Sequence, residues 1–502
     1  MTAPAITSPG TSDEIGIPLW PRDVWRRDRT SLAPGTTMQA ALAAGAVAAL
    51  TLQTTAASVA YLITGVAVAA VAFTSVRPRP SPTQLLVVAG SSALLAVAAI
   101  RGADWLVALC VVASWVVGSL ALVGGRTWTG LALGSLALGF TPVRVIGWMH
   151  RGRSRWRRTG SRVKPGRAVA VAALSVALVA LFGSLFVSAD PEFGRLFDDV
   201  VPDVRVTNPG GRLFLGALVA GVALAATYVR RRTPLFDALA PAPGRPIASW
   251  EWAVPVGVLD LLFSGFVAVQ VRVLFGGDDH VRDTDGLTYA NYARQGFWQL
   301  AAVTVLTLIV IAVAVRKIDR GNRRDRMLAR GLLVLLCGLS LVIVASALHR
   351  MALYESEFGY TRLRLGVMAV ELWLGVVFVV LLAAGIRFSA RWLPRVVLAS
   401  AAVGLLGFAG LNPDGYIAEQ NVRRYTDTGK LDIAYLRGLS VDAVPALDRL
   451  PEPARSCALG GIDVGGGASG FDYNAARARA QAILKARPLG PCAVNSTARS
   501  GA

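Results

Sequence analysis

The feature that most restricts this chain is a series of uninterrupted apolar blocks, each of about 18 to 24 residues, recurring along most of its 502 positions. A helix needs about 20 residues to cross ~30 Å of hydrocarbon. In lipid, each backbone N–H and C=O must also find its partner inside the spanning segment. The blocks show no strand-like alternation, so the expected fold class is all-α: a polytopic transmembrane helical bundle. Charged residues make up 16% of the chain, against roughly 25% in a soluble protein.

The net charge of +20 raises the question of nucleic acid. The basic residues gather instead in short loops between apolar blocks, the pattern of positive-inside topology. No basic surface interleaved with aromatics appears elsewhere, so nucleic acid is not an expected partner. Only four of the 51 basic residues are lysine. That bias, with abundant Ala, Val, Gly and Arg, points to a GC-rich bacterial genome and a bacterial plasma membrane.

Residues 1–37 are polar, carry Arg22, Arg26, Arg27 and Arg29, and show no cleavage site before the first apolar stretch. They read as a cytoplasmic N-terminal segment. Residues 38–149 form a first group of spans, and 38–75 is long enough to hold two that turn near Thr51–Thr55. Blocks at 84–100 and 105–123 add two more. Block 127–149 has too few apolar residues before Pro142 to span comfortably and is amphipathic after it, so it reads as re-entrant or interfacial. Residues 150–167, with eight basic residues and no acid, form a cytoplasmic loop. Seven spans follow within 168–411, near 168–188, 212–229, 252–274, 297–315, 328–348, 365–386 and 394–411, with a mixed loop at 349–364. The total is about eleven spans, or twelve if 127–149 crosses. Residues 412–502 then form a small α-helical extracytoplasmic region. Its helices are expected at Asp414–Arg424, at 441–450 behind a Ser440 cap, and at Tyr473–Ala486. With little apolar surface of its own, this tail is expected to pack on the membrane domain.

Cys110 and Cys337 fall inside apolar blocks and read as packing residues. Cys457 and Cys492 lie in the tail, in an oxidising compartment on this topology, so a disulfide between them is expected.

Several motifs resemble a family of bacterial membrane proteins known as DUF4173, also filed under DUF4153. They are Ser188–Phe193 with Asp190; Gln270 with Leu274-Phe275-Gly276-Gly277; and Gly286–Phe297 with Tyr289 and Arg294. Arg350 through Leu353-Tyr354-Glu355 follows, then Gly359–Arg364. The last is Asn412-Pro413-Asp414 through Asn421, Arg424-Tyr425, Lys430-Leu431-Asp432 and Leu439–Pro445 with Asp442. The resemblance runs over about 260 residues and implies a fold class but no activity. Laid over the topology, most of these motifs share the outer face: Asp190, Tyr289, Arg294, Arg350, Tyr354, Glu355, Arg362, Arg364, Asn412, Asp414, Asn421, Arg424, Asp432 and Asp442.

Two acids fall within spans, Asp260 and Glu371, and Gln270 is a third intramembrane polar candidate. Such groups serve either proton or cation coupling or interhelical hydrogen bonding. At the outer face, Arg294, Arg350, Arg362 and Arg364 suit bidentate capture of an anionic lipid or cell-envelope ligand. They equally suit clamping the tail through Asp414, Asp432 or Asp442, and the clamp is the favoured reading. The Asp278-Asp279-His280 loop fits no metal-site spacing, and the Gly-rich run near 460–470 lacks the context of a phosphate loop. Three histidines, His150, His280 and His349, support no catalytic pairing. No cofactor is expected.

The leading expectation is therefore a non-enzymatic envelope protein that senses, scaffolds or binds a ligand at its outer face. A coupled secondary transporter using Asp260 and Glu371 is the alternative. A transferase using a lipid-linked donor is the least favoured, since the early outer loops offer only Asp104.

Overall fold

A computed structural model describes residues 35–52, 57–76, 80–141, 144–149, 209–241, 247–275, 289–319, 321–387, 391–465 and 470–492. The expected span at 168–188, Asp190 and the Asp278–His280 loop lie outside the described residues, as do the side chains of Tyr289 and Arg294.

Among the described residues the protein is helical throughout. α1 (Gly35–Thr51) and α2 (Ala60–Thr74) are short apolar helices. α3 (Pro82–Ile100) opens on a capping box in which Ser81 accepts from the Gln84 N–H and Gln84 answers the Ser81 N–H. α4 (Asp104–Val123) stops at Gly124, whose φ of 77° disfavours any residue with a Cβ. α5 (Trp128–Ser135) and α6 (Ala137–Phe140) are short. The long helices resume with α7 (Pro209–Arg231), α8 (Ser249–Phe275), α9 (Tyr289–Lys317), α10 (Arg323–Phe358), α11 (Arg362–Arg387) and α12 (Leu393–Leu411). Eight of these helices are long and apolar enough to cross a bilayer. Large side chains such as Leu86 and Leu261 stand open on them, 73% and 75% exposed. In water that surface would be a severe liability; in lipid it is solvated. The chain is a multi-pass membrane protein.

Two helix groups pack side by side. One joins α1, α2, α3, α4 and α7; the other sets α8, α9 and α11 around α10, and α12 contacts members of both. The α1–α7 crossing is close because glycines face each other. A Cβ on Gly45 would sit 2.5 Å from the Gly216 carbonyl oxygen, and one on Gly216 2.7 Å from that of Gly45. Small residues let backbones approach where no hydrophobic drive exists between helices. Gly45→Val is expected to force this pair apart at a cost of about 1–3 kcal/mol. The measurement is the thermal midpoint in detergent; an unchanged midpoint would show that the crossing tolerates bulk.

Two ends of the bundle are distinguishable by their contacts. At one, Asp237 accepts from the Arg126 and Thr127 N–H groups and the Thr127 hydroxyl, Arg231 donates to the Ser75 carbonyl, and Arg395 to that of Gly125. This end gathers Arg230, Arg231, Arg232, Arg316, Lys317, Arg323, Arg324 and Arg395, so we call it the basic end. The block 127–149 begins here at Thr127, and its Trp148 packs edge-on against Tyr228 in the last turns of α7, with centroids 5.5 Å apart. Both ends of that block therefore rest at the basic end.

The tail covers the other end. It contains α13 (Pro413–Thr428), α14 (Ile433–Leu436), a 3-10 turn at Val441–Ala443, α15 (Val444–Leu447), α16 (Ala454–Leu459) and α17 (Ala475–Ala486). Its core of Ile417, Ala418, Leu436, Val444, Leu447, Leu450 and Leu459 is closed from below by Leu365 and Phe408 of the spans. Cys457 and Cys492 are joined by a disulfide, with Cα atoms 4.7 Å apart.

Two segments depart from the sequence expectation. Residues 349–358 are not a loop: α10 runs for 36 residues, about 54 Å at 1.5 Å per residue, so its final turns stand beyond the hydrocarbon. Arg350 and Tyr354 pack there against Gln270 and Arg364, and tertiary contact extends the helix past the apolar run. Nor is 441–450 one helix capped by Ser440. The Ser440 hydroxyl turns to Asp442 at 3.1 Å, and Pro445, confined to a first turn, starts a separate short helix.

Candidate functional site at the junction of tail and bundle

α12 ends at Asn412, whose left-handed φ of 59° swings the chain straight into α13. That turn places Asp414, in the first turn of α13, at the top of the bundle with no exposed surface. Arg362, opening α11, grips it with two parallel bonds, Nε to Oδ1 at 2.8 Å and Nη2 to Oδ2 at 2.5 Å. Trp105 Nε1 donates to Oδ1 at 3.3 Å and the Ser440 N–H to Oδ2 at 2.9 Å. The Arg362 N–H also donates to the Tyr435 hydroxyl at 2.7 Å. Burial by itself would raise the Asp414 pKa, but the Arg362 and Ser440 interactions outweigh it and hold the carboxyl below its ordinary value.

A second carboxylate lies alongside. Asp442 accepts from the Gly102 N–H at 2.7 Å and the Ser440 hydroxyl, and Arg101 Nη1 stands 3.9 Å from it. Burial prevails here and pushes its pKa up. Arg101 also donates to the Ala409 and Gly410 carbonyls at 2.8 and 2.9 Å, the first of which also accepts from the Asn412 N–H, and so helps satisfy the end of α12. A Cβ at Gly102 would fall 2.2 Å from a Val441 methyl, so the α3–α4 turn must be bare for the tail to seat.

Two further hooks fix the edges. The wholly buried Asn474 donates to the Ala98 and Arg101 carbonyls at 2.9 and 2.8 Å while its oxygen caps α17. Asn421 pairs both ways with the Tyr360 backbone, and Arg424 donates to the Glu357 carbonyl.

The structure brings together Arg362, Asp414 and Asp442, with Asn421 and Arg424 on the same junction. The remaining candidates fall elsewhere. Arg350 donates to Gln270 at 3.1 Å. Arg364 lies 4.3 Å over the Tyr354 ring and donates to the Gly359 carbonyl. Asp432 caps α14, and Asn412 serves as the turn. Glu355 is buried, with Oε1 lacking a hydrogen-bond partner. Within the spans, Glu371 accepts from Thr304 at 3.1 Å. Asp260 is 3% exposed with neither carboxylate oxygen bonded. No hydrogen bond joins these two acids, and among the described residues no three His, Cys, Asp or Glu side chains group as metal ligands.

Sequence reasoning missed Arg101, Gly102, Trp105 and Asn474. Arg101 carried a faint signal, an arginine at the end of an apolar block. Asn474 carried none, because its partners lie more than 370 positions away.

A family model described as a domain of unknown function, DUF4153, matches residues 89–450. That stretch includes Arg101, Arg362, Asp414 and Asp442 but stops before the disulfide and Asn474. No curated protein matches, and no solved structure does.

Proposed function

The chain belongs to the DUF4153 family, and from that premise we propose that it is a non-enzymatic membrane scaffold holding its tail as a fixed platform on the outer face of a bacterial plasma membrane. The observation that carries this is the fate of the arginines. Arg362, Arg364, Arg350 and Arg424 donate to Asp414, Gly359, Gln270 and Glu357. Guanidinium forks committed in this way clamp the protein's own parts and do not stand open for a ligand phosphate. The platform would present its own surface to an envelope partner.

Orientation follows from two independent features. Arginine-rich ends face the cytoplasm, which directs the basic end inward and the tail outward. A disulfide persists in an oxidising compartment, and Cys457–Cys492 is on the tail. With both ends of 127–149 at the basic end, that block is read as re-entrant.

The transporter reading retains one observation in its favour, the unbonded buried carboxylate of Asp260. The two readings separate in a strain lacking the gene. A scaffold needs the docked tail and not the intramembrane acid. Asp260→Asn is therefore expected to restore envelope resistance to detergent and osmotic shock to the wild-type level, and Arg362→Ala is not. Rescue by Arg362→Ala with failure of Asp260→Asn would overturn the scaffold reading, as would ion-gradient-driven flux in proteoliposomes abolished by Asp260→Asn.

A further inference from the structure

The turn at 470–474 is held against the ends of two spans. The Val59 N–H, at the start of α2, donates to the Tyr473 carbonyl at 3.0 Å. The next residue, Asn474, bonds the carbonyls of Ala98 and Arg101 at the end of α3. Yet the rings on this turn are left open: Phe471 is 56% exposed and Tyr473 43%, with Ile100 at the same end of α3 49% exposed.

Two helices bracket the depth of this turn: the 19 residues of α3 rise about 28 Å, and the 15 of α2 about 22 Å. The far end of α2 is tied to the basic end, where Arg231 donates to Ser75 just past the last helical residue. A helix that starts there falls about 8 Å short of crossing ~30 Å of hydrocarbon. The first N–H groups of α2 would then open below the headgroups, where an unsatisfied donor is costly. The Tyr473 carbonyl satisfies one of them. A turn bonded at that level, with Phe471 and Tyr473 each partly open, has lipid as its neighbour on that side; the amphipathic Tyr473 ring favours that zone, and Phe471 adds apolar surface.

We propose that the turn carrying Phe471 and Tyr473 is a foot by which the tail enters the interfacial layer of the bilayer, packing against phospholipid beside α2 and α3. It makes the bilayer itself a binding partner of the tail, and it stands whether or not the docked tail serves as a scaffold.

The test is site-directed spin labelling of the full chain in phosphatidylcholine vesicles. Cys110 and Cys337 are buried and Cys457–Cys492 is bonded, so Phe471→Cys and Tyr473→Cys each introduce one reactive thiol. Leu261→Cys, at an open position midway along α8, gives the hydrocarbon reference. At both foot positions oxygen is expected to relax the label more than a water-soluble nickel chelate does, at a depth between the headgroups and the Leu261 site. Greater access for the chelate would place the turn in water and overturn the foot. Access for neither reagent would mean protein covers the rings, and would overturn it equally. Retention of the native disulfide in each variant shows that the tail has folded.

Discussion

Arg362→Ala is expected to release the tail from the bundle at a cost of about 3 kcal/mol, the low end of the range for removing one partner of a buried ion pair. The low end applies because Asp414 is buried while the Arg362 side chain is 35% exposed. The size follows from what is left behind. Asp414 has no exposed surface, and without Arg362 its charge keeps only the Trp105 and Ser440 N–H groups. Hydrogen exchange in α13 should rise from the rate of the spans to that of a locally open segment, while α3 and α4 remain protected. Equal protection of α13 in variant and wild type would show that the pair is not what docks the tail. Reversing the charges, with Arg362→Asp and Asp414→Arg together, is not expected to restore docking, since two further N–H donors aim at position 414. The pH dependence has a definite sign. The Asp414 carboxyl sits below its ordinary value, so its contribution is complete above the usual carboxylate range and is lost as pH falls through the depressed value. Asp442 is shifted upward and acts oppositely, favouring the docked state as it protonates. Mild acid should therefore change docking little, and only stronger acid should undo it.

The second large effect is expected at the disulfide. Cys457→Ser with Cys492→Ser opens a loop of 35 residues, and loop-closure entropy puts the loss at about 3–4 kcal/mol. The loop holds α17 and Asn474, so its release loosens the hook on α3 as well as the tail core. Nearby, Arg455 is fully buried among Asp448, Glu452 and the carbonyls of Arg487 and Pro488. Those carbonyls lie just before Cys492, and a freed terminus would withdraw them and strand the guanidinium. The measurement is the thermal midpoint of the wild type with and without reductant, beside the double variant. Reductant should lower the wild-type midpoint to that of the variant. An unaltered midpoint would mean that the Arg455 network holds the terminus unaided. In intact cells, an impermeant maleimide should label these cysteines only after reduction; labelling only in broken cells would reverse the proposed orientation.

What was legible in the sequence was what is local. A span is a run of about 20 residues matched to bilayer thickness, so all-α membrane architecture could be read directly, as could the turn between α1 and α2. The tail residues Asp414, Asn421 and Asp442 were legible as candidates through the family-like motifs. A clamp was the favoured reading, but which arginine meets which aspartate was not legible, because an arginine at the end of an apolar block looks the same whether it awaits a lipid phosphate or an internal aspartate.

By itself, then, the sequence determined that this protein lives in a bilayer, roughly where its helices cross, and which end carries the arginines. Apolar length and loop charge act within a single segment, and no distant residue can alter them. Only the tertiary structure decided that Arg362 is committed to Asp414, that Arg101 and Asn474 tie the tail to α3, and that α10 continues beyond the membrane. Each depends on partners dozens to hundreds of positions away. Hydrogen bonding and burial select such partners only once the helices have packed.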